Sequence, residues 1–339
     1  MRRSYIATKM IVPLLWALYI AILQEILRMK QLKQIAAIIA GNAPSIKEID
    51  YARMPRDFRV FRCNQFYFED KYYLGKKVEA TTFATQMFFE QIYTMLVLNQ
   101  KCEYQVDSIF LFNNEMHLKC AKRQNMQYFM DFISGDCLVH KIFDCKYSPN
   151  IAEFLEHLKL QELYFDKHPT SGIMLCAIAI AMGYRDIYLC GIDFYENKPY
   201  AFSMSNKNVL SIMPEFASIG DKIQKQENQW HTKEADLEAL SFLQRHYGAR
   251  FYSLCPNSPL SRYFPLAPIT NSDFVVEKKS EGYINDVLIP DKNAYSMLNA
   301  LRGGVKCRLK DNLYFKIFYD LLKLRKDIKQ YLQYKRGEL

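Results

Sequence analysis

The chain lacks the spacings by which metal sites and activated nucleophiles announce themselves. It has no DxD pair, the carboxylates with which metal-dependent sugar transferases hold a divalent ion against a diphosphate, and no HExxH, GxSxG or Walker loop. Any phosphate chemistry therefore falls to neutral donors or cationic side chains. The nine cysteines include no CxxC pair and no regular His/Cys spacing, which fits reduced cytosolic thiols better than a zinc site or a disulfide framework. A full dinucleotide fingerprint of three spaced glycines is also absent. There is no internal repeat and no long low-complexity tract. Residues 10–23 (MIVPLLWALYIAIL) carry no charge but number only fourteen, against the about twenty that a membrane span needs.

What is present is a large apolar fraction and an uneven charge. Half of the 339 residues are apolar, enough for a substantial core in one large domain or two smaller ones. The net charge is +9, with +5 in residues 1–34, +7 in residues 301–339 and −3 between them. A nucleic-acid binder spreads positive charge over a folded face among base-reading side chains. Basic ends beside apolar stretches fit an anionic membrane surface instead. For residues 1–34 three readings stand: an interfacial or signal-anchor helix, a helix packed on the body, or a start upstream of initiation at Met29. A cleavable signal peptide is disfavoured because no small-residue cleavage site follows.

Along the chain, residues 35–41 (IAAIIAG) read as a buried strand entering a glycine turn, followed by Asn42, Ala43, Pro44 and Ser45. Gly41 permits close approach of a phosphate or sugar nucleotide, and Ser45 with Glu48 has capping-box spacing for a following helix. Further strands are predicted at 58–63 (FRVFRC), 78–83, 106–112, 186–190 (DIYLC) and 250–255. Helices are predicted at 88–98, at 173–182 (IMLCAIAIAM, apolar all round and ended by Gly183) and at 235–247. Residues 113–160 read only as helices and connections, and 194–231, with little periodicity, as a lid or binding loop. Strands alternating with helices imply a mostly parallel sheet. At 313–334 Leu313, Ile317, Leu321, Leu324, Ile328 and Tyr331 form a stripe, with Lys316, Lys323, Lys326 and Lys329 off it. This is a basic amphipathic helix, docked on the core or lying on a membrane.

Candidate chemistry gathers after two strands. Gly191, Ile192, Asp193, Phe194 and Tyr195 follow the strand at 186–190, with Tyr200 five residues on. In a doubly wound sheet ligands sit at the carboxyl ends of strands. Asp193 can accept from a base amine or ribose hydroxyl, and the two phenols can donate to phosphate oxygens or simply anchor the loop. His231 precedes a helix whose amino-terminal partial charge disfavours the imidazolium form. With a reference pKa of about 6.5 it would be largely neutral at pH 7, a base or a structural histidine.

Several of these stretches resemble one family. Residues 41–77 (GNAPSIKEIDYARMPRDFRVFRCNQFYFEDKYYLGKK), Thr170-Ser171-Gly172, the stretch from Gly191 to Tyr195, Tyr200, His231 and Leu254-Cys255-Pro256-Asn257-Ser258 are similar, in order, to the family 42 bacterial sialyltransferases that act on lipooligosaccharide. The likeness spans roughly residues 35–335. It implies an α/β fold of Rossmann type: a mostly parallel sheet (a GT-A-like variant) with a small lid inserted after a central strand and a basic C-terminal helix. The divisions would be an extension (1–34), the nucleotide-sugar domain (35–193 and 232–300), the lid (194–231) and a membrane-associating tail (301–339). It implies inverting transfer of sialic acid from CMP-sialic acid to a galactose or sialic acid hydroxyl, with no cofactor and no metal.

By the same resemblance Gly41, Asn42, Gly191 and Asp193, with Phe194 in the same loop, contact the nucleotide. Asn64, Gln65, Thr170 and Ser171 hold the donor, Ser171 towards the sialic acid carboxylate. Tyr195 and Tyr200 donate to the departing CMP phosphate, and His231 takes the acceptor proton. The chain departs from the family at three places: Ala43 stands for a second glycine, His168 for an arginine, and the region of Phe83, Ala84 and Thr85, linked to acceptor choice, differs. The implied partners are a galactose- or sialic acid-terminated glycolipid, the cytoplasmic face of the inner membrane and three further copies in a tetramer, with no nucleic acid. Two other classes remain open at this point: a nucleotide-dependent hydrolase or oxidoreductase on a similar sheet, and a membrane-associated CMP-sugar-binding protein without turnover.

Overall fold

A computed structural model describes residues 35–83, 88–111, 139–143, 145–196, 200–202, 231–284 and 313–336. The expectations for residues 1–34, Ala84, Thr85, Phe112, 113–138, the lid residues 197–199 and 203–230, and the tail residues 301–312 and 337–339 lie outside these.

A parallel strand buried on both faces reads as an unbroken apolar run, and β1 (Ala36–Ala40, AAIIA) is buried along its length. It is an interior strand of a seven-stranded sheet. With β2 (Phe58–Cys63), β5 (Ala80–Phe83), β7 (Ile109–Leu111), β8 (Val139–Lys141), β9 (Asp186–Cys190) and β10 (Arg250–Ser253), the order is β10-β9-β1-β2-β5-β7-β8. Every pairing in this sheet is parallel. The chain winds outward from β1 to β8, then returns to place β9 against the other side of β1. The order reverses between β1 and β9, so their carboxyl ends form the topological switch point where such sheets bind ligands.

Side chains on β1 alternate between two layers. Ala37 and Ile39 join a core cluster with α3 (Ser171–Met182), α2 (Ala152–Phe165) and α4 (Lys233–Tyr247). Ala36, Ile38 and Ala40 face Ile46, Ile49, Met54, Leu254 and Ala267, an irregular layer on the other side. α3 is buried from Gly172 to Met182 because it packs on β1, β2 and β5 and is crossed by α4. It stops at Gly183, whose φ of 111° a side chain would resist. α4 is capped by Thr232, whose hydroxyl accepts from the Ala235 N–H at 3.2 Å. Its first turn is acidic and its last basic, matching the helix dipole.

Two expectations change. The segment 78–83 is not one strand: β4 (Lys77–Val78) pairs with β6 (Gln105–Val106) in a separate two-stranded sheet. The chain switches at Glu79, whose N–H donates to the Val60 carbonyl at 2.8 Å. The expected strand at 106–112 is divided likewise between β6 and β7. Ser45 and Glu48 make no capping box either. Residues Pro44–Glu48 form a 3-10 turn with no side-chain cap, and the Ser45 N–H donates instead to Asp193. The remaining described pair is β3 (Lys71–Tyr72) with β11 (Glu277–Lys278), and α1 (Phe88–Gln100) follows β5.

Contacts divide the chain into one unit of Met1–Asn114 with Ile133–Pro290 and another of Glu115–Phe132 with Asp291–Leu339. In the second, the described part is α5 (Leu313–Lys335), whose stripe residues Ile317, Leu321, Leu324, Ile328 and Tyr331 are exposed. Among the described residues no helix is long and apolar enough to cross a membrane.

Candidate active site

Gly41 and Gly191 leave β1 and β9 side by side, and each is a glycine because of the other. A Cβ on Gly41 would lie 2.1 Å from the Gly191 carbonyl oxygen, and one on Gly191 would lie 2.6 Å from that of Gly41. The Gly41 N–H donates to Cys190 at 3.0 Å and the Ala43 N–H to Gly191 at 2.9 Å, closing the two turns together. The glycine is required by the approach of two strands, a different reason from the phosphate approach expected of Gly41. Ala43 has φ −74°, so the methyl group that replaces a family glycine sits without strain.

Around this junction lie buried polar atoms with unused capacity. Asn42 donates from Nδ2 to the Cys63 carbonyl at 2.9 Å, and its own carbonyl accepts from Ala201 at 2.7 Å. That second bond draws the segment carrying Tyr200 onto the first turn. Asp193 Oδ2 accepts from the Ser45 N–H at 3.1 Å. Burial raises the Asp193 carboxyl above the ordinary aspartate range, opposed by the Ser45 bond. Asn42 Oδ1, Asp193 Oδ1 and Ser258 Oγ are buried without a partner among the described residues. Such atoms are rare unless a ligand or water completes them.

A second group forms where β2, α3 and α4 meet. Asn64, held left-handed at φ 51°, donates from Nδ2 to Ser171 Oγ at 3.2 Å. Gln65 is buried beside it at the head of the 3-10 turn Phe66–Phe68. Thr170 donates to Asp236 twice, from its N–H at 2.7 Å and its hydroxyl at 2.9 Å. His231 places Nδ1 at 2.9 Å from the His168 carbonyl. A carbonyl only accepts, so Nδ1 carries a proton, and in the neutral ring Nε2 is the atom with the lone pair. The two imidazole rings are 6.5 Å apart and nearly perpendicular, and His168 Nε2 lies 3.9 Å from Glu162 Oε1.

The loop after β9 is strained. Phe194 and Tyr195 adopt φ of 50° and 58°, conformations costly for bulky side chains and typical of functional loops. The Phe194 ring belongs to the core and meets Tyr263 edge-on at 5.9 Å. Tyr200 is partly buried and stacks on Phe202 at 5.5 Å. Burial, then Tyr200, then Asp236 and Cys63 hold the Tyr195 phenol well above its ordinary pKa. Burial pushes Tyr200 up to about 12, with Cys63 adding to it. Both phenols therefore stay protonated and available as donors at neutral pH.

Below the Asn64–Gln65 turn, Arg62 and Glu69 are buried and paired, and the Arg62 guanidinium lies 4.9 Å from the centre of the Phe66 ring. The pair closes the turn like a staple. Cys63, Cys190 and Cys255 sit at the ends of β2, β9 and β10, and the described cysteines are free thiols. Burial pushes Cys63 and Cys255 up to about 12 and Cys190 well above the usual thiol range, so none is an activated nucleophile. Among the described residues no group of three or more His, Cys, Asp or Glu could hold a metal ion. Asp236 escaped the sequence reading because an aspartate in a helix's first turn looks like an ordinary dipole partner.

A parallel sheet with two interlocked turns at its switch point and orphaned acceptors above them defines a nucleotide-binding α/β enzyme. The model of the CST-I α-2,3-sialyltransferase family matches residues 35–335, and the chain belongs to that family. The crystal structure of monofunctional α-2,3-sialyltransferase Cst-I from Campylobacter jejuni is 38% identical with a TM-score of 0.70, the match covering 82% of this chain and 97% of that one. CstII from Campylobacter jejuni with the substrate analogue CMP-3FNeuAc is 42% identical with a TM-score of 0.67, covering 79% and 99%. CstII has also been solved with CMP and a trisaccharide acceptor together. A Haemophilus influenzae protein of uncharacterised function is 40% identical over 195 residues, 57% of this chain and 80% of that protein. The chain is thus a sialyltransferase, and the hydrolase and oxidoreductase classes fall away.

Proposed function

We propose that the enzyme transfers sialic acid from CMP-sialic acid, with inversion and without a metal, to a terminal galactose or sialic acid hydroxyl of lipooligosaccharide. The observation that carries this reading is the contact of His231 Nδ1 with the His168 carbonyl at 2.9 Å. With Nδ1–H committed to the His168 carbonyl, Nε2 is the basic atom. It accepts the proton of the acceptor hydroxyl as that oxygen attacks the anomeric carbon of the donor. The bond from that carbon to the phosphate oxygen breaks on the opposite face, and CMP leaves with the bonding pair. Tyr195 and Tyr200, kept protonated, donate to the phosphate oxygens where the charge develops. Gly41, Asn42, Gly191 and Asp193 receive the nucleotide; Asn64, Gln65, Thr170 and Ser171 receive the sialyl group. His168 stands beside them as a donor that, unlike arginine, is not permanently charged.

The acceptor is lipid-linked, so the reaction runs at the cytoplasmic face of the inner membrane, with α5 on the anionic surface. Its exposed stripe and off-stripe lysines support that placement. The assembly is a homotetramer, supported by an exposed apolar patch at the end of α2 formed by Leu160, Leu163, Tyr164 and Phe165. The test is incubation of purified protein with CMP-sialic acid and a lactose-type acceptor in EDTA, following CMP and the product linkage by NMR. One sialylated product per CMP released, undiminished by the chelator, is expected. Activity restored only by added Mg²⁺ or Mn²⁺, or CMP release without sialylated product, contradicts the reading.

A further inference from the structure

The reaction outlined above leaves Asp236 without a task, yet it is 1% exposed and gives both carboxylate oxygens to Thr170. Burying a carboxylate without a cation is costly, and among the described residues two hydrogen bonds from Thr170 and the amino end of α4 offset it. Thr170 is the N-cap of α3. A threonine there ordinarily turns its hydroxyl oxygen onto the first-turn N–H groups of its own helix, but Thr170 makes no such bond. Its hydroxyl points away to Asp236 instead. The amino end of α3, with Ser171 at its first position, therefore lacks a side-chain cap from Thr170, and such a helix start attracts an anion.

We propose that Asp236 is a positioning residue for the donor: it holds the Thr170 hydroxyl off the end of α3, keeping that end open to the carboxylate of the sialyl group. This rests on the reading of Thr170 and Ser171 as donor contacts. His231 immediately precedes the Thr232 cap of the same helix and is bonded to the carbonyl of His168, two residues before Thr170. One helix start thus sets both the base and the anion site. Without the carboxylate, Thr170 swings back to cap α3 and competes with the ligand. The nucleotide half of the donor meets Asn42 and Asp193, with which Asp236 shares no hydrogen bond among the described residues, so its binding depends on this residue far less than that of the sialyl half.

The experiment compares affinities of full-length wild type, Asp236→Ala and Asp236→Asn for CMP and for the inert donor CMP-3FNeuAc by calorimetry. In Asp236→Ala, affinity for CMP-3FNeuAc falls about tenfold or more, the scale of lost buried hydrogen bonds, while CMP binding stays within twofold. Asp236→Asn, whose amide can still hold the Thr170 side chain, recovers to within about threefold. If the alanine variant does not fold, Asp236→Ser, too short to reach both Thr170 groups, takes its place. Equal weakening of CMP and CMP-3FNeuAc overturns the proposal in favour of a purely structural role, as does an unchanged CMP-3FNeuAc affinity. Failure of the wild type to bind CMP-3FNeuAc at all would instead defeat the sialyl-donor reading itself.

Discussion

Replacing Gly41 by alanine tests the junction on which the proposed nucleotide site is built. The new Cβ would be 2.1 Å from the Gly191 oxygen and 3.0 Å from its carbonyl carbon, both backbone atoms that no rotamer change can move. Relief requires the ends of β1 and β9 to part by about 1 Å, judged against ordinary contact distances of about 3.5 Å and allowing for a compressed contact. That parting weakens the bonds Gly41 N–H to Cys190 and Ala43 N–H to Gly191. Two hydrogen bonds at about 0.5–1.5 kcal/mol each and overpacking strain of about 1–3 kcal/mol give a loss of about 2–6 kcal/mol. At about 2–4 °C per kcal/mol for a domain of this size, the unfolding midpoint drops by about 4–24 °C. CMP affinity falls with it, since Asn42 and Asp193 follow the two turns. Gly248→Ala is the control: φ is +65° but nothing lies within 4 Å of the new Cβ, so only conformational strain of about 1–2 kcal/mol is incurred. Scanning fluorimetry and CMP titration of the two variants distinguish the cases. A Gly41→Ala protein with wild-type midpoint and CMP affinity would refute the steric argument.

Other consequences can be measured on the same protein. Arg62→Met alone leaves Glu69 buried and unpaired and is expected to cost about 3–5 kcal/mol, whereas Arg62→Met with Glu69→Leu recovers most of it; urea melts that rank the double variant below the single one would contradict this. Tyr104, Tyr195 and Tyr200 have phenols raised above the ordinary value of about 10. Above pH 10 the unfolded chain therefore holds fewer of their protons than the folded one. Their contribution is complete below pH 10 and is lost as pH rises towards and past 12, so stability should fall over that window. A flat melting profile from pH 10 to 12 would count against these burials. Truncation after residue 310 should reduce sedimentation with anionic vesicles while sparing transfer to lactose; equal sedimentation would remove α5 from membrane attachment.

Much of the fold was readable because parallel strands buried on both faces leave unbroken apolar runs. FRVFRC and DIYLC bound β2 and β9 as expected, and IMLCAIAIAM marks the helix buried on all sides. The break at Glu79 was not readable, since it depends on a hydrogen bond to Val60 from a different strand. Nor was β8, three residues including His140 and Lys141 at the edge of the sheet, where neither alternation nor an apolar run survives. At the site, the separate motifs that the resemblance singled out come together around the ends of β1, β2 and β9 and the starts of α3 and α4. Their links could not be read, because a carbonyl that fixes a tautomer, or a carboxylate that turns a cap aside, has no local sequence pattern. Ser45 shows the reverse error: S-x-x-E spacing suggested a cap, but the backbone was engaged by Asp193, 148 residues away.

The account rests on the Nε2 atom of His231 as the base, and the most direct measurement is the turnover of His231→Ala set beside its CMP affinity. With that base removed, kcat falls by about 10²–10⁴-fold, with CMP bound within twofold of wild type. Turnover within a few-fold of wild type would contradict it.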